Sequence, residues 1–586
     1  MSDRSLSSSQ KFLLTLPFIA ALAAVAQPSS PPPPKREVRA VWLTTASGLD
    51  WPKTTDKNEQ QSSLREIVKT LQRARFNTIF FQARARGDAY YRSAHEPWAE
   101  NLTGTLGTDP GWDPLAFLID EAHAAGIEVH AWINVFKIRG QGAVANSTPP
   151  HPARAHPGWT VNYAGEGWFD PGKPEVRAYL TGVIADLAGK YDLDGVNLDY
   201  CRYPGRDFSD AWTFYRYGNG AKIEEWRISN IDRFVADCYA QVHTLKPMMK
   251  VGASPLAISV IETDPSAGTL KEYAQDAKRW LKAGTLDYVS PQIYWDMNAP
   301  GGGPDFAVLV RAWLGAANGR HVYAGIGAYK PEVARQITAQ IDTVRTAGGG
   351  GEVFFRYGSI RGMTALAARY ENPAGIPPMA WKDSIPPLAP PHVGVSEVAA
   401  NVFQLEWLQP PPARDGDRAH HYVYYRWPER RIPFDDARSV AGITPRNETL
   451  VLDTVVAPAG PTYYYAVTAV DKGSNEGPPS PTTDATTREF IALRGKLSEP
   501  TALSVSLPAG AHAPPLIAYS LSRPTNVELT LVSRPSRGQE TVVASLARGV
   551  QQRGTYVVGM EGRLLGEGKY LVRLKAGEMM LEQEVK

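Results

Sequence analysis

Asp194-Gly195-Val196-Asn197-Leu198-Asp199-Tyr200-Cys201-Arg202-Tyr203-Pro204 decides how the chain is read. Val196 and Leu198 alternate with Asn197 and Asp199, so an extended strand puts the apolar pair on one face and the polar pair on the other. Pro204 and Gly205 then stop the strand. If such a strand belongs to a (β/α)8 barrel, the polar side chains at its C-terminal end point into the mouth where chemistry is done. Asp199 would stand there as a carboxylate ringed by Tyr200, Arg202 and Tyr203, which suits a polar, ring-shaped ligand. Read alone, the segment also allows Asp199 to be a strand-end cap or ion-pair partner. Asp194, at the strand start, is expected to be structural.

Working outward, strand and helix patterns alternate eight times. The other strands are read at Val38 to Leu43, Thr78 to Phe81, Ile127 to Ile133, Met249 to Ala253, Leu286 to Ile293, Val322 to Ile326 and Glu352 to Phe355. Between them run helical stripes: Leu64, Ile67, Val68 and Leu71; Leu115, Leu118, Ile119 and Ala122; Val176, Leu180, Val183 and Leu187; Ile231, Phe234, Val235, Cys238, Val242 and Leu245; Val333, Ile337, Ile341 and Val344. This order predicts an α/β fold, a TIM barrel over residues 36–370. The stretches Gly87 to Gly111, Phe136 to Asp170 and Pro204 to Gly220 are long and rich in Gly, Pro, Trp and Tyr, as expected of loops that build a cleft.

The flanks read differently. Arg4 and Lys11 precede an apolar run from Phe12 to Val25 that ends in Ala24-Val25-Ala26. This predicts a cleavable signal peptide over 1–26 and an exported protein: periplasmic, cell-surface or extracellular, without a membrane span. Residues 27–35 and 371–391 are Pro-rich and read as linkers. Short alternating strands come after the second linker, predicting two small all-β sandwiches over 392–488 and 490–586. All candidate acids precede Glu371, so a chain ending near Tyr370 is expected to fold and keep its chemistry.

At 586 residues, about three or four domains are expected. A net charge of +2 without a basic stripe excludes nucleic acid as a partner. Two cysteines make no disulfide framework, and no Cys/His cluster has metal-ligand spacing, so neither metal nor cofactor is expected. The 15 Trp and 26 Tyr are many; flat aromatic faces suit stacking on sugar rings, although most of them are expected to be core.

Several segments then carry a resemblance. They are Glu37-Val38-Arg39-Ala40-Val41-Trp42-Leu43; Asn77 to Gln82 with Arg84, Gly87, Asp88 and Tyr91; Trp112-Asp113-Pro114-Leu115; His130-Ala131-Trp132-Ile133-Asn134; the Asp194 to Pro204 motif; Ser254-Pro255; and Ser290 to Trp295. From about Arg36 to Tyr370 the chain resembles the glycosyl hydrolase-like 10 family of exported bacterial proteins. The resemblance implies a TIM barrel acting on glycan chains, with bacterial cell-wall glycan, of the peptidoglycan type, as the substrate class. Phe403 to Trp407, Tyr463 to Val470 and Asp471 to Gly477 resemble a fibronectin type III domain. The tail vaguely resembles C-terminal Ig-like modules of exported proteins, candidates for cell-surface attachment. The fourth-strand motif also resembles the chitinase signature, but with Asn197 for its middle acid and Cys201 in place of its catalytic Glu. A thiol is a poor substitute for a glutamic acid proton donor.

Glycoside hydrolysis ordinarily needs two carboxyl groups. Asp199 is the candidate for the ionised one, with Arg202 expected to hold its pKa down. Asp296, beyond the sixth strand beside Tyr294 and Trp295, is the candidate acid. Asp88 is a third carboxylate, with Arg84 and Arg86 as expected ion partners. Gln82, Arg84, Asn134, Gln292 and Arg356 are candidate hydrogen-bonding groups at strand ends; Trp42, Trp132, Tyr203, Tyr294 and Trp295 offer stacking faces. Two rival classes remain open: a carbohydrate-binding pseudoenzyme, and a deacetylase-like carbohydrate-modifying barrel.

Overall fold

The computed structural model describes residues 31–139, 144–261, 268–297, 305–391, 393–399, 402–455 and 463–484, and shorter segments between 490 and 585. The expected signal peptide, 1–26, and the start of the first linker lie outside the described residues. Among the described residues, no helix is long and apolar enough to cross a membrane.

Eight parallel strands close a ring. β1 (Val38–Leu43), β2 (Thr78–Arg84), β3 (Glu128–Asn134), β4 (Gly195–Asp199), β5 (Lys250–Ala253) and β8 (Gly351–Phe355) are continuous. β6 is split into Tyr288–Val289 and Gln292–Ile293, and β7 into His321–Val322 and Ala324–Ile326. The first halves pair with each other and join β5; the second halves pair with each other and join β8, so ten segments make one closed (β/α)8 barrel. The sequence pattern runs β6 unbroken from Leu286 to Ile293. Pro291 sits in the break, where its ring has no N–H to give to a ladder.

The barrel interior is filled by large side chains from several strands: Trp42, Phe80, Trp132, Tyr288 and Tyr323. Two glycines make room for this. A Cβ on Gly195 would lie 2.7 Å from the His130 ring, and one on Gly252 would lie 2.1 Å from the Tyr288 ring. His130 Nδ1 meets Tyr288 Oη at 2.8 Å, and Asn197 links Tyr288 to Ser254, whose hydroxyl donates to Asn197 Oδ1 at 2.7 Å. These bonds satisfy the polar groups below the mouth, where water is excluded.

Helices α1 (Lys57–Arg73), α2 (Pro114–Ala124), α3 (Pro174–Lys190) and α4 (Ile223–Leu245) bury the stripes read from the sequence. Asp113 caps α2 by accepting from the Ala116 N–H. Leu245, expected inward, is exposed at the last turn of α4. The run from Val333 to Val344 is two helices, Pro331–Ala334 and Ile337–Thr346.

Residues 371–391 do not behave as a free linker. The Asn372 carbonyl accepts from Arg39 Nη1 at 2.7 Å, Trp381 Nε1 donates to Asp287 at 2.9 Å, and Lys382 pairs with Asp287 at 2.9 Å. The first sandwich packs a three-stranded sheet (Gly394–Ala399, Val402–Glu406, Leu450–Thr454) on a four-stranded one (Val440–Ile443, His421–Trp427, Tyr464–Val470, Thr483–Asp484) around Trp407, Tyr422 and Tyr465. The second has two four-stranded sheets sharing a core of Ile517, Leu529, Val572 and Leu574.

The first sandwich grips the floor of the barrel. Arg446 reaches Asp194, which also accepts from the Val129 N–H at 2.8 Å and meets His123 Nε2 at 2.8 Å. Burial pushes the Asp194 carboxyl upward, but His123 and Arg446 outweigh it and hold the group well below the usual aspartate value. The structural reading of Asp194 agrees with this placement. The expectation that the barrel is independent of the chain beyond Tyr370 does not, because truncation there would strip partners from Asp194 and Asp287. A cavity of about 330 Å³, lined by Arg75, Asn77, Asp194, His421, Tyr424 and Arg446 among others, lies at this floor rather than at the mouth.

Candidate active site

Asp199 ends β4 beside Asn134, its register partner on β3. Three N–H groups converge on its carboxylate: Tyr200 N at 2.7 Å and Gln292 Nε2 at 3.2 Å on Oδ1, and Trp132 Nε1 at 3.1 Å on Oδ2. Three strands thus aim donors at one carboxylate. Tyr200 adopts a left-handed backbone (φ 49°), a conformation that an ordinary side chain takes only when its surroundings enforce it. The bond from its own N–H to Asp199 is part of that enforcement.

Burial pushes the Asp199 carboxyl up from 3.8 to about 6, against the pull of the Tyr200 N–H, Arg202, Trp132 and Lys137. The sequence reading has Arg202 holding it down. Arg202 does pull that way, but loss of water around a group only 8% exposed outweighs it. At neutral pH Asp199 remains mostly ionised, within reach of protonation.

An aromatic and cationic wall stands over this carboxylate. The Arg202 guanidinium lies 4.8 Å from the Tyr273 ring centre, 5.3 Å from Tyr200 and 5.5 Å from Trp168. Lys137 sits 4.9 Å from the Tyr200 ring and 2.6 Å from Glu166. Across the mouth, Tyr294 packs on Phe355 with ring centres 5.6 Å apart, and half-exposed Tyr329 packs against both.

Trp132, Arg202, Gln292 and Tyr294 therefore gather with Asp199. Asp296 and Trp295 follow Tyr294 in the loop after β6, both half-buried, with Trp295 packed on the outer core and its carbonyl accepting from Gln340 at 2.9 Å. The remaining candidates are turned to the protein. Arg84 is fully buried, forms a paired bond to Glu96 (2.7 Å) and donates to the backbone of residues 134 and 135. Gln82 Oε1 accepts from Thr45 N and Ala46 N, fixing the loop after β1. Arg356 binds Leu49 O and Asp50 in that same loop. Asn134 donates to Ala85 O at 2.8 Å, and Asp88 accepts from Arg86 N at 2.9 Å. Asp88's guanidinium neighbour is Arg139, at 3.7 Å, while Arg84 is taken by Glu96. Trp42 and Trp132 are barrel core and Tyr203 is buried under Arg227, so none of them presents a ring face to ligand; Trp132 reaches the site only through its N–H. Cys201 is likewise fully buried, with burial pushing its thiol well above the ordinary value; it is no stand-in for an acid.

Lys137, Glu166 and Trp168 escaped the sequence reading. They sit on an antiparallel unit (Lys137–Ile138, Thr160–Tyr163, Glu166–Phe169) inside the loop after β3, turned at Ala164 and Gly165 with positive φ. The short alternation in Thr160 to Phe169 was the available signal. Among the described residues, Asp383, Asp415 and Asp417 approach closely enough to share a cation, but they lie on the linker and first sandwich, away from these strand ends.

A closed parallel barrel with a buried carboxylate at the end of β4, under an aromatic wall, is the class of structure used by glycoside hydrolases. The family model for Glycosyl hydrolase-like 10 matches residues 37–341, and the chain belongs to that family. Glycosyl hydrolase YngK of Bacillus subtilis (strain 168) is 30% identical over 508 residues, covering 79% of this chain and 94% of that protein. Glycosyl hydrolase DigH of Escherichia coli (strain K12) is 32% identical over 355 residues, covering 55% of this chain and 79% of that protein. Among solved structures, the PgaB (BpsB) glycoside hydrolase domain from Bordetella bronchiseptica aligns with a TM-score of 0.43 at 16% identity, covering 57% of this chain and 98% of that one. Family and relatives support a glycosidase-type function.

Proposed function

We propose that the protein is an exported glycoside hydrolase that cuts a polysaccharide, the peptidoglycan-type glycan of bacterial cell walls, with Asp199 as the central carboxylate. The observation that carries this reading is the Asp199 site: a carboxylate at a barrel strand end, gripped by three N–H donors and flanked by stacking faces. Positive charge develops on the sugar ring as the glycosidic bond breaks. An ionised Asp199 fixed by Tyr200 N, Trp132 and Gln292 is oriented before the reaction starts, so it stabilises that charge without reorganising. Arg202, Tyr200 and Tyr329 supply hydrogen bonds and ring faces to the neighbouring sugar units, with Trp168 buried behind Arg202 and Tyr200. The second carboxyl, which protonates the leaving oxygen, is assigned to Asp296; Glu166, paired with Lys137 beside the Tyr200 ring, is a further carboxylate near Asp199. The run from Phe12 to Val25 with its Ala24-Val25-Ala26 ending supports export.

Purified protein incubated with peptidoglycan, with its glycan strands freed of peptides, and with common polysaccharides should release reducing ends from the cell-wall glycan. Release from another polysaccharide alone would overturn the substrate class. Binding without release on every glycan would make the barrel a carbohydrate-binding pseudoenzyme.

A further inference from the structure

Between Asp199 and α4 the chain makes a short helix, Ala211–Tyr217, in the loop that follows β4 and therefore on the mouth side of the barrel. Of its four large aromatic side chains, Phe214 and Tyr217 are half-buried, whereas Trp212 and Tyr215 are 70% and 80% exposed. They are three residues apart, so they share one helix face, and their rings lie near-parallel with centres 5.6 Å apart.

This exposure comes from a helix that is fixed underneath. Asp210, at its start, is buried and takes a two-pronged bond from Arg227, at 2.9 and 2.6 Å. Thr213 donates to Asp170, and Phe214 packs on Trp226 with ring centres 5.2 Å apart. Burying Trp212 and Tyr215 would remove apolar area from water, yet the anchoring holds both rings outward. The larger exposed residues around them are polar: Arg206, Asp207, Ser209, Arg216 and Asn219. A protein-docking patch is a broader contiguous apolar area. Two flat rings within a hydrogen-bonding rim match the alternating apolar faces and hydroxyl edges of a sugar chain.

Contacts lead from the carboxylate to the start of this helix. Trp168 and Tyr200, over Asp199, meet with ring centres 5.8 Å apart. Tyr163, on the same antiparallel unit as Trp168, donates to Asp207 at 2.6 Å and packs near Phe208 at 6.4 Å, just before the helix. The wall over the candidate site thus touches the segment that leads directly into the helix bearing the aromatic pair.

We propose that Trp212 and Tyr215 form an outlying subsite that stacks on sugar units of a polymeric glycan extending out of the mouth. This rests on the glycoside hydrolase reading and deepens it: the substrate is a chain long enough to span from Asp199 to the helix. The test compares the full chain with a Trp212→Ala/Tyr215→Ala variant and with Trp212→Phe/Tyr215→Phe. The probes are peptide-free peptidoglycan strands, long and cut to short oligosaccharides. With unchanged melting, the Ala variant should raise KM on long strands by about tenfold, with kcat and short-oligosaccharide kinetics unchanged, and the Phe variant should keep most of the affinity. Cosedimentation with insoluble strands should fall in parallel; it reads the subsite even if the wild type hydrolyses nothing, so the two claims can fail separately. Equal binding by wild type and Ala variant would overturn the subsite. An equal loss on long and short substrates would also overturn it, by showing that the helix only supports the cleft.

Discussion

Replacing Asp199 by Asn should have opposite effects on stability at pH 4 and pH 7. In the folded protein the carboxyl protonates at about 6, against 3.8 for an ordinary aspartate. Between these values the native state binds more protons than the unfolded state, so stability falls as pH rises through the window. By pH 7 the wild type carries a deficit of about 3 kcal/mol from this one group. Asn has no charge to desolvate and avoids the deficit. It has one acceptor oxygen where the carboxylate has two. If that oxygen keeps the Tyr200 and Gln292 bonds, the Asn amide faces Trp132 Nε1–H, donor against donor. An orphaned buried donor costs about 1–2 kcal/mol at any pH. The variant should therefore be about 1–2 kcal/mol less stable than wild type at pH 4 and about as much more stable at pH 7, a swing of several degrees in melting temperature. Asp170, Asp232 and Asp471, all pushed up to about 6, titrate in both proteins and cancel in the difference. The assay is paired thermal unfolding from pH 4 to pH 7. A melting difference that does not vary with pH would refute the burial argument.

Asp296→Asn should lower turnover with little change in melting; unchanged turnover would move the acid to Glu166. Arg446→Ala leaves Asp194 buried with only His123 and the Val129 N–H beside it and should cost about 1–3 kcal/mol at neutral pH. Because Asp194 is held below its ordinary value, that cost should shrink as pH falls below 3.8, so the melting difference should be smaller at pH 2.5 than at pH 7. Glu96→Gln breaks the fully buried pair with Arg84 and should destabilise by about 3 kcal/mol, read as a lower denaturation midpoint.

The strand carrying Asp199 was legible because a period of two is a local property: Val196 and Leu198 pack outward while Asn197 and Asp199 point in. Strand order came from the count of alternating elements. Depth was not legible. Arg84 and Asp199 are both polar residues at strand ends, yet Arg84 meets a buried Glu96 twelve residues on, in a loop without periodicity. Tyr203 reads as a stacking face until Arg227, on a helix a turn of the fold away, covers it. The sign of the Asp199 shift depended on weighing Arg202 against lost hydration, and only burial decides that balance. The aromatic wall on the unit from Lys137 to Phe169 comes from an insertion whose short strands align with no barrel repeat.

Reducing-end release by Asp199→Asn, on the glycan that the wild type cleaves, tests the central claim most directly. Loss of a preorganised charge facing the transition state should lower turnover on the order of 100-fold or more, while substrate binding changes far less. Near-full turnover by a folded Asp199→Asn protein would contradict the assignment.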